Sequence, residues 1–130
     1  MERSLKKQSG TESHEREALI QAHIMAVLNH RDAPCRVWRN NVGELRDRRG
    51  IPVKYGLAPG SADLIGLVMT TGQFLAVEVK TPVGRLSDEQ KAWLGTIKNL
   101  GGIALVMRSE ADARAFVEKI RNGGGPTNGQ

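Results

Sequence analysis

Cysteine occurs once, as Cys35, in a chain of 130 residues. A lone thiol closes no internal disulfide and cannot supply the paired thiolates of a CxxC zinc site. Cys35 therefore reads as a small buried apolar residue rather than a nucleophile. Long apolar runs are missing too. The longest runs, such as Leu64-Ile65-Gly66-Leu67-Val68-Met69, fall far short of the roughly 20 residues that cross a bilayer. The opening Met1-Glu2-Arg3-Ser4-Leu5-Lys6-Lys7 lacks the apolar stretch of a signal peptide. A disulfide-stapled secreted domain and a membrane protein are both excluded, leaving the expectation of a small soluble, cytoplasmic domain with no membrane partner. Aromatic residues are scarce: two Trp, two Phe and one Tyr offer few platforms for stacking on splayed bases. His14, His23 and His30 have spacings unlike a zinc site and read as surface or packing residues.

What the chain does have is positive charge. Lys plus Arg number 19 against 14 acidic residues, a formal net charge of +5. That balance favours an anionic partner, of which nucleic acid is the commonest. The length suits one domain with one core. Residues 1–12 and 122–130 are polar and read as loose ends around a single domain at 13–121. Within it, Leu19, Ile20, Ile24, Val27 and Leu28 fall at helical spacing, with Ser13 placed to cap the start. Cys35–Trp38 predicts a strand, and 62–69 and 74–80 predict an antiparallel hairpin turned by Thr70-Thr71-Gly72-Gln73. Ser87-Asp88-Glu89-Gln90 is a capping-box pattern that opens a second helix, ended by Gly101-Gly102. A strand at 103–107 and a helix at 110–120 complete an αβββαβα order, hence an α/β fold with a mixed central sheet flanked by helices.

Chemistry concentrates at one end of the hairpin. Side chains alternate along a strand, so Phe74, Ala76, Glu78 and Lys80 share one face. Asp63 opens the preceding strand and, in an antiparallel pair, lies beside the end of its partner, close to Glu78 and Lys80. Two carboxylates held together repel unless a cation or a proton intervenes. A hard divalent ion resolves the repulsion, taking carboxylate oxygens, backbone carbonyls and water. Lys80 could then orient a water or stabilise charge developing on a phosphate. Taken alone, an ExK tripeptide is more often a salt-bridged strand end facing solvent.

Context separates the two readings. The string Trp38-Arg39-Asn40-Asn41, Tyr55-Gly56-Leu57, Gly60-Ser61-Ala62-Asp63-Leu64-Ile65-Gly66, Glu78-Val79-Lys80, Gly84-Arg85-Leu86-Ser87 with Gln90, and Gly101-Gly102-Ile103 resembles the virus-type replication-repair nuclease (VRR-NUC) domain. That domain is a branch of the PD-(D/E)XK nuclease superfamily, and the resemblance covers roughly residues 15 to 120. It implies a restriction-endonuclease-like core and a metal-dependent endonuclease that hydrolyses DNA phosphodiesters. By the same resemblance Asp63 is the motif aspartate, Glu78 and Lys80 are the (D/E)XK pair, and the backbone carbonyl of Val79 is a metal ligand for Mg²⁺ or Mn²⁺. Ala62 stands where the superfamily's proline would be; proline there shapes the turn and is not chemically required. The family also uses a glutamate of the first helix. Glu17 fits, three and seven residues before Ile20 and Ile24 and so on their face, whereas Glu15 projects with Leu19 and Ala22. Acids in a first helical turn also arise from the macrodipole alone. Gln90 reads two ways, as the return bond of the capping box or as a site residue orienting the lysine or water. Stand-alone phage or bacterial members resemble Holliday-junction resolvases and are homodimers. That likeness implies a homodimer acting on branched DNA in replication, repair or recombination, in the cytoplasm of a bacterial or phage-infected cell.

The interval 42–62 reads as a long loop, unusual in a compact domain and often functional. From Arg31 to Lys54 there are seven basic residues and three acidic ones. Arg46, Arg48 and Arg49 are the leading phosphate contacts, with Arg39, Lys54 and Ser61 beside them; an ordinary solvated loop is the alternative. Asn40-Asn41 reads equally as a substrate contact and as a turn. The scarcity of aromatics favours duplex recognition through backbone and shape. Two further functions stay open from sequence: a non-catalytic duplex-binding module, and a ribonuclease with the same metal site.

Overall fold

The computed structural model describes residues 2–123, with side chains from residue 12 onward. The first helix, α1, spans Glu2–Leu28. It buries Ile24 and Leu28 completely and Ile20 and Val27 in part, four of the five residues of the stripe that the sequence spacing predicted; Leu19, the fifth, is 57 % exposed instead. Its start is a correction. Residues 2–12, expected to be loose, continue the helix, and Ser13 lies inside it instead of capping it. No proline interrupts this stretch, and Gly10 is a weak helix breaker worth only about 1 kcal/mol.

Strand β1 (Cys35–Arg39) follows, then β2 (Gly43–Arg46), β3 (Pro52–Tyr55), β4 (Leu64–Val68) and β5 (Phe74–Val79). Helix α2 (Asp88–Asn99) leads to β6 (Ile103–Met107) and α3 (Glu110–Arg121). The main sheet has the order β1-β4-β5-β6. Its first two pairings are antiparallel, and β5 with β6 is parallel, joined by α2 as the crossover. This is the expected mixed sheet flanked by helices. The expected loop at 42–62 is not structureless, however: β2 and β3 form a separate two-stranded antiparallel hairpin. Its turn is held by Asp47, whose Oδ1 accepts from the Arg49 and Ile51 amides at 2.8 and 2.9 Å.

Alternation along β5 sets the two cores. Leu75, Val77 and Val79 point with Leu64, Ile103 and Met107 into the larger one, closed by α1 and α3 through Ile24, Leu28, Phe116 and Val117. Ala76 and Ala104 point the other way, toward Leu94 of α2, and Phe74 meets Trp93 edge-on at 6.5 Å between ring centroids. Small residues on that face let α2 lie close. Gly60, in the turn before Asp63, enables a second close approach. It has φ +82°, and a Cβ there would stand 2.7 Å from the Glu89 backbone at the start of α2.

Candidate active site

The hairpin register decides which charges meet. Leu64 pairs with Val77 and Ile65 with Ala76, so Asp63 stands opposite Glu78, as the sequence predicted. The Asp63 residue is fixed from both sides: its Oδ2 accepts from the Val79 amide at 2.8 Å, and its carbonyl accepts from the Asn40 amide at 2.8 Å. Glu78 is 2 % exposed. Its Oε1 accepts from Gln90 Nε2 at 3.0 Å and lies 3.9 Å from Lys80 Nζ. Its Oε2 is buried and has no hydrogen-bond partner among the described residues. A carboxylate in that position is costly to ionise. Burial first, then the charge of the neighbouring Asp63 carboxylate, push the Glu78 carboxyl up to about 8; Lys80 opposes this and the Glu17 charge adds to it.

Glu17 enters from α1. With His14, Ala18, Gln21 and Asp63 it lines an open cavity of about 180 Å³, and its charge is felt at Glu78. Among the described residues, no three His, Cys, Asp or Glu side chains stand together tightly enough to hold an ion between them as they are. The converged set is the Asp63–Glu78 pair, with Lys80 and Gln90 around it and Glu17 at the rim. An orphaned buried carboxylate oxygen beside a second carboxylate is a donor set suited to a hard divalent cation.

Gln90 does not have to choose between its two sequence readings, because different atoms serve each. Its amide donates to Ser87 Oγ at 3.1 Å, its Oε1 accepts from the Ser87 amide at 2.9 Å, and its Nε2 is left for Glu78. Asn40 turns the chain: its side-chain amide donates to Ser61 Oγ at 2.8 Å and to the Ala62 carbonyl at 2.9 Å. Asn41 is exposed. Arg39, Arg48 and Lys54 are exposed; Arg46 donates to the Gly50 carbonyl, and Arg49 reaches Asp47 Oδ2 at 3.5 Å. The cations at 46–54 thus ride on the β2–β3 hairpin. Lys80 is partly exposed, with 15 % of its side chain in solvent.

Sequence reasoning passed over Arg108. Its Nη1 donates to the Thr81 and Gly84 carbonyls at 2.7 and 2.6 Å, clamping the turn that immediately follows Lys80. No local motif marks it; only the parallel pairing of β6 beside β5 brings it there.

A family model for the VRR-NUC domain matches residues 15–111. No curated protein matches the chain.

Proposed function

Since this chain belongs to the VRR-NUC domain family, a nuclease family related to DNA processing, we propose that it is a Mg²⁺- or Mn²⁺-dependent endonuclease hydrolysing DNA phosphodiesters at the Asp63–Glu78 site. The observation that carries this reading is Glu78: a buried carboxyl with one oxygen unpartnered, facing a second carboxylate, 3.9 Å from a lysine. A pure DNA-binding module gains nothing from carboxylates beside phosphate. Asp63, Glu78 and the Val79 carbonyl would hold the ion, with Glu17 reaching it directly or through water. When bound, a divalent ion supplies an acidified water and a counter-charge for the scissile phosphate.

The side chains have distinct tasks. Gln90 holds Glu78 Oε1, so that Oε2 keeps its direction. Lys80 carries a positive charge beside the reacting centre, where it favours the extra negative charge of the transition state over the ground state. Asp63, anchored by the Val79 amide, holds its remaining oxygen toward the site. Arg39, Arg46, Arg48, Arg49 and Lys54 would meet duplex phosphates, with Asn41 and the Ser61 hydroxyl nearer the cut. A homodimer selective for branched DNA accords with the resemblance to junction resolvases. The test is cleavage of junction, flap, linear duplex and RNA substrates with Mg²⁺, Mn²⁺ or EDTA. Cutting of DNA that EDTA stops is the expected result; activity indifferent to EDTA, or confined to RNA, overturns the proposal.

A further inference from the structure

Two rows of side chains cross the sheet on the face that carries the site. Glu78 and Asp63 stand opposite one another, and the Asn40 amide bonds the Asp63 carbonyl, so Asn40, Asp63 and Glu78 form one row. Two residues along each strand, Trp38 pairs with Ile65 and Ile65 with Ala76, forming the adjacent row on the same face. Ala76 is covered by α2. At the β1 end of that row Trp38 is left 49 % exposed. The Trp38 backbone thus lies roughly 7 Å along the strand and about 5 Å across it from Asp63. A strand with a phosphate at Asp63 and Glu78 would carry a neighbouring base within reach of this indole.

Resting on the nuclease reading above, we propose that Trp38 is a stacking platform for an unpaired base next to the scissile phosphate, so that the site favours nucleic acid with a locally unpaired strand. An indole left in water on the open side of a catalytic row has no packing reason to be tryptophan: Ile65 is the cross-strand partner, and a smaller apolar residue would serve it. Nucleic acid fits better than a second copy of the chain, because a protein surface seated on Trp38 would also shut the carboxylates off from any phosphodiester. Charge points the same way. Lys80 stands beside Glu78 at the far end of the catalytic row, and the cations of the β2–β3 hairpin follow β1 just beyond Asn41. Sequence composition argued against base stacking by counting aromatics; one well-placed ring is enough for one base.

The chain has two tryptophans, and the second, Trp93, packs against Phe74. In a Trp93→Phe background, emission therefore reports Trp38 alone. Titration is with a single-stranded oligothymidylate and with a blunt duplex of equal length, both in EDTA. Oligothymidylate is expected to quench the emission strongly and the blunt duplex to leave it nearly unchanged. Trp38→Ala and Trp38→Leu should weaken oligothymidylate binding by roughly ten- to a hundredfold and duplex binding by less than about twofold, while Trp38→Phe retains most of the affinity. Trp38→Leu keeps an apolar side chain against Ile65, and an unchanged melting temperature shows that the sheet is intact. Absent quenching, or equal losses for both ligands, overturns the proposal. So does a fall in molar mass on Trp38→Ala, which would make the face a self-association surface. Cleavage of DNA in Mn²⁺ by the same preparation tests the nuclease reading separately. A protein that cuts with Trp38 unquenched overturns only the stacking role. One that is quenched but cuts nothing keeps the stacking role and overturns the nuclease.

Discussion

Without a cation, Glu78 should make the protein less stable as pH rises, against the usual trend for carboxylates. Its folded-state value, pushed up to about 8, lies above the ordinary 4.5 of the unfolded chain. Between those values the folded state holds a proton that the unfolded state has released. The stabilisation is therefore complete below about pH 4.5, declines as pH rises, and is lost once pH passes 8. At about 1.4 kcal/mol per pH unit the displacement sets a ceiling of roughly 5 kcal/mol, a large share of the roughly 5–15 kcal/mol that holds a typical domain together. Glu78→Gln keeps the shape and removes the titration. Urea unfolding in EDTA at pH 5, 6, 7, 8 and 9 should show the two proteins close at pH 5. The variant should then gain on the wild type by several kcal/mol toward pH 8. Mg²⁺ or Mn²⁺ at a hundred times its dissociation constant should return about 2.7 kcal/mol to the wild type at pH 8 and little to the variant. Parallel pH profiles would refute the reasoning, since they would mean that Glu78 ionises in the fold as freely as in water.

Asp63→Asn should abolish cleavage while leaving DNA binding within a few fold, because a repulsive charge near phosphate is removed; normal cutting in Mg²⁺ would end the site assignment. Lys80→Ala should lower single-turnover cleavage by orders of magnitude, and Lys80→Arg should not restore it, since a wide guanidinium places its charge differently. Changing Arg46, Arg48 and Arg49 together to Ala should weaken binding alike for every duplex sequence. It should also flatten the slope of log K against log salt by up to about 0.9 for each phosphate that an arginine no longer neutralises; an unchanged slope returns these arginines to solvent. Gln90→Ala should cost about 1 kcal/mol through the helix cap and also depress turnover, measured by urea unfolding beside single-turnover cleavage. Lost stability with intact turnover would leave Gln90 a cap alone.

The meeting of Asp63 with Glu78 was legible because the turn at 70–73 fixes the register of β4 on β5, and a register error of one residue would have sent Glu78 to the other face. The helix stripes at Ile24 and Leu28, and at Ala113, Phe116 and Val117, were legible because burial leaves a period in sequence. The β2–β3 hairpin left no such trace. Its strands have four residues each, and none of its residues is buried, so no core-facing alternation stood out. Ser13 misled for a related reason. A capping residue is a local signal, and whether a helix starts there depends on what precedes it. The dual use of Gln90 depends on which atom of one amide points where, and the clamp by Arg108 on a contact between residues 81 and 108 that only the sheet creates.

The Ser87–Gln90–Glu78 chain ties the first turn of α2 to the buried Glu78 carboxyl through a single side-chain amide. Helix starts fray, and such openings cost far less than global unfolding. Here an opening that frees Gln90 from Ser87 also slackens its hold on Glu78, so helix end and acid loosen as one cooperative unit. The backbone amide of Gln90, sheltered by Ser87 Oγ, becomes a built-in gauge of that event. Its hydrogen-exchange rate counts how often the Glu78 carboxyl loses its support.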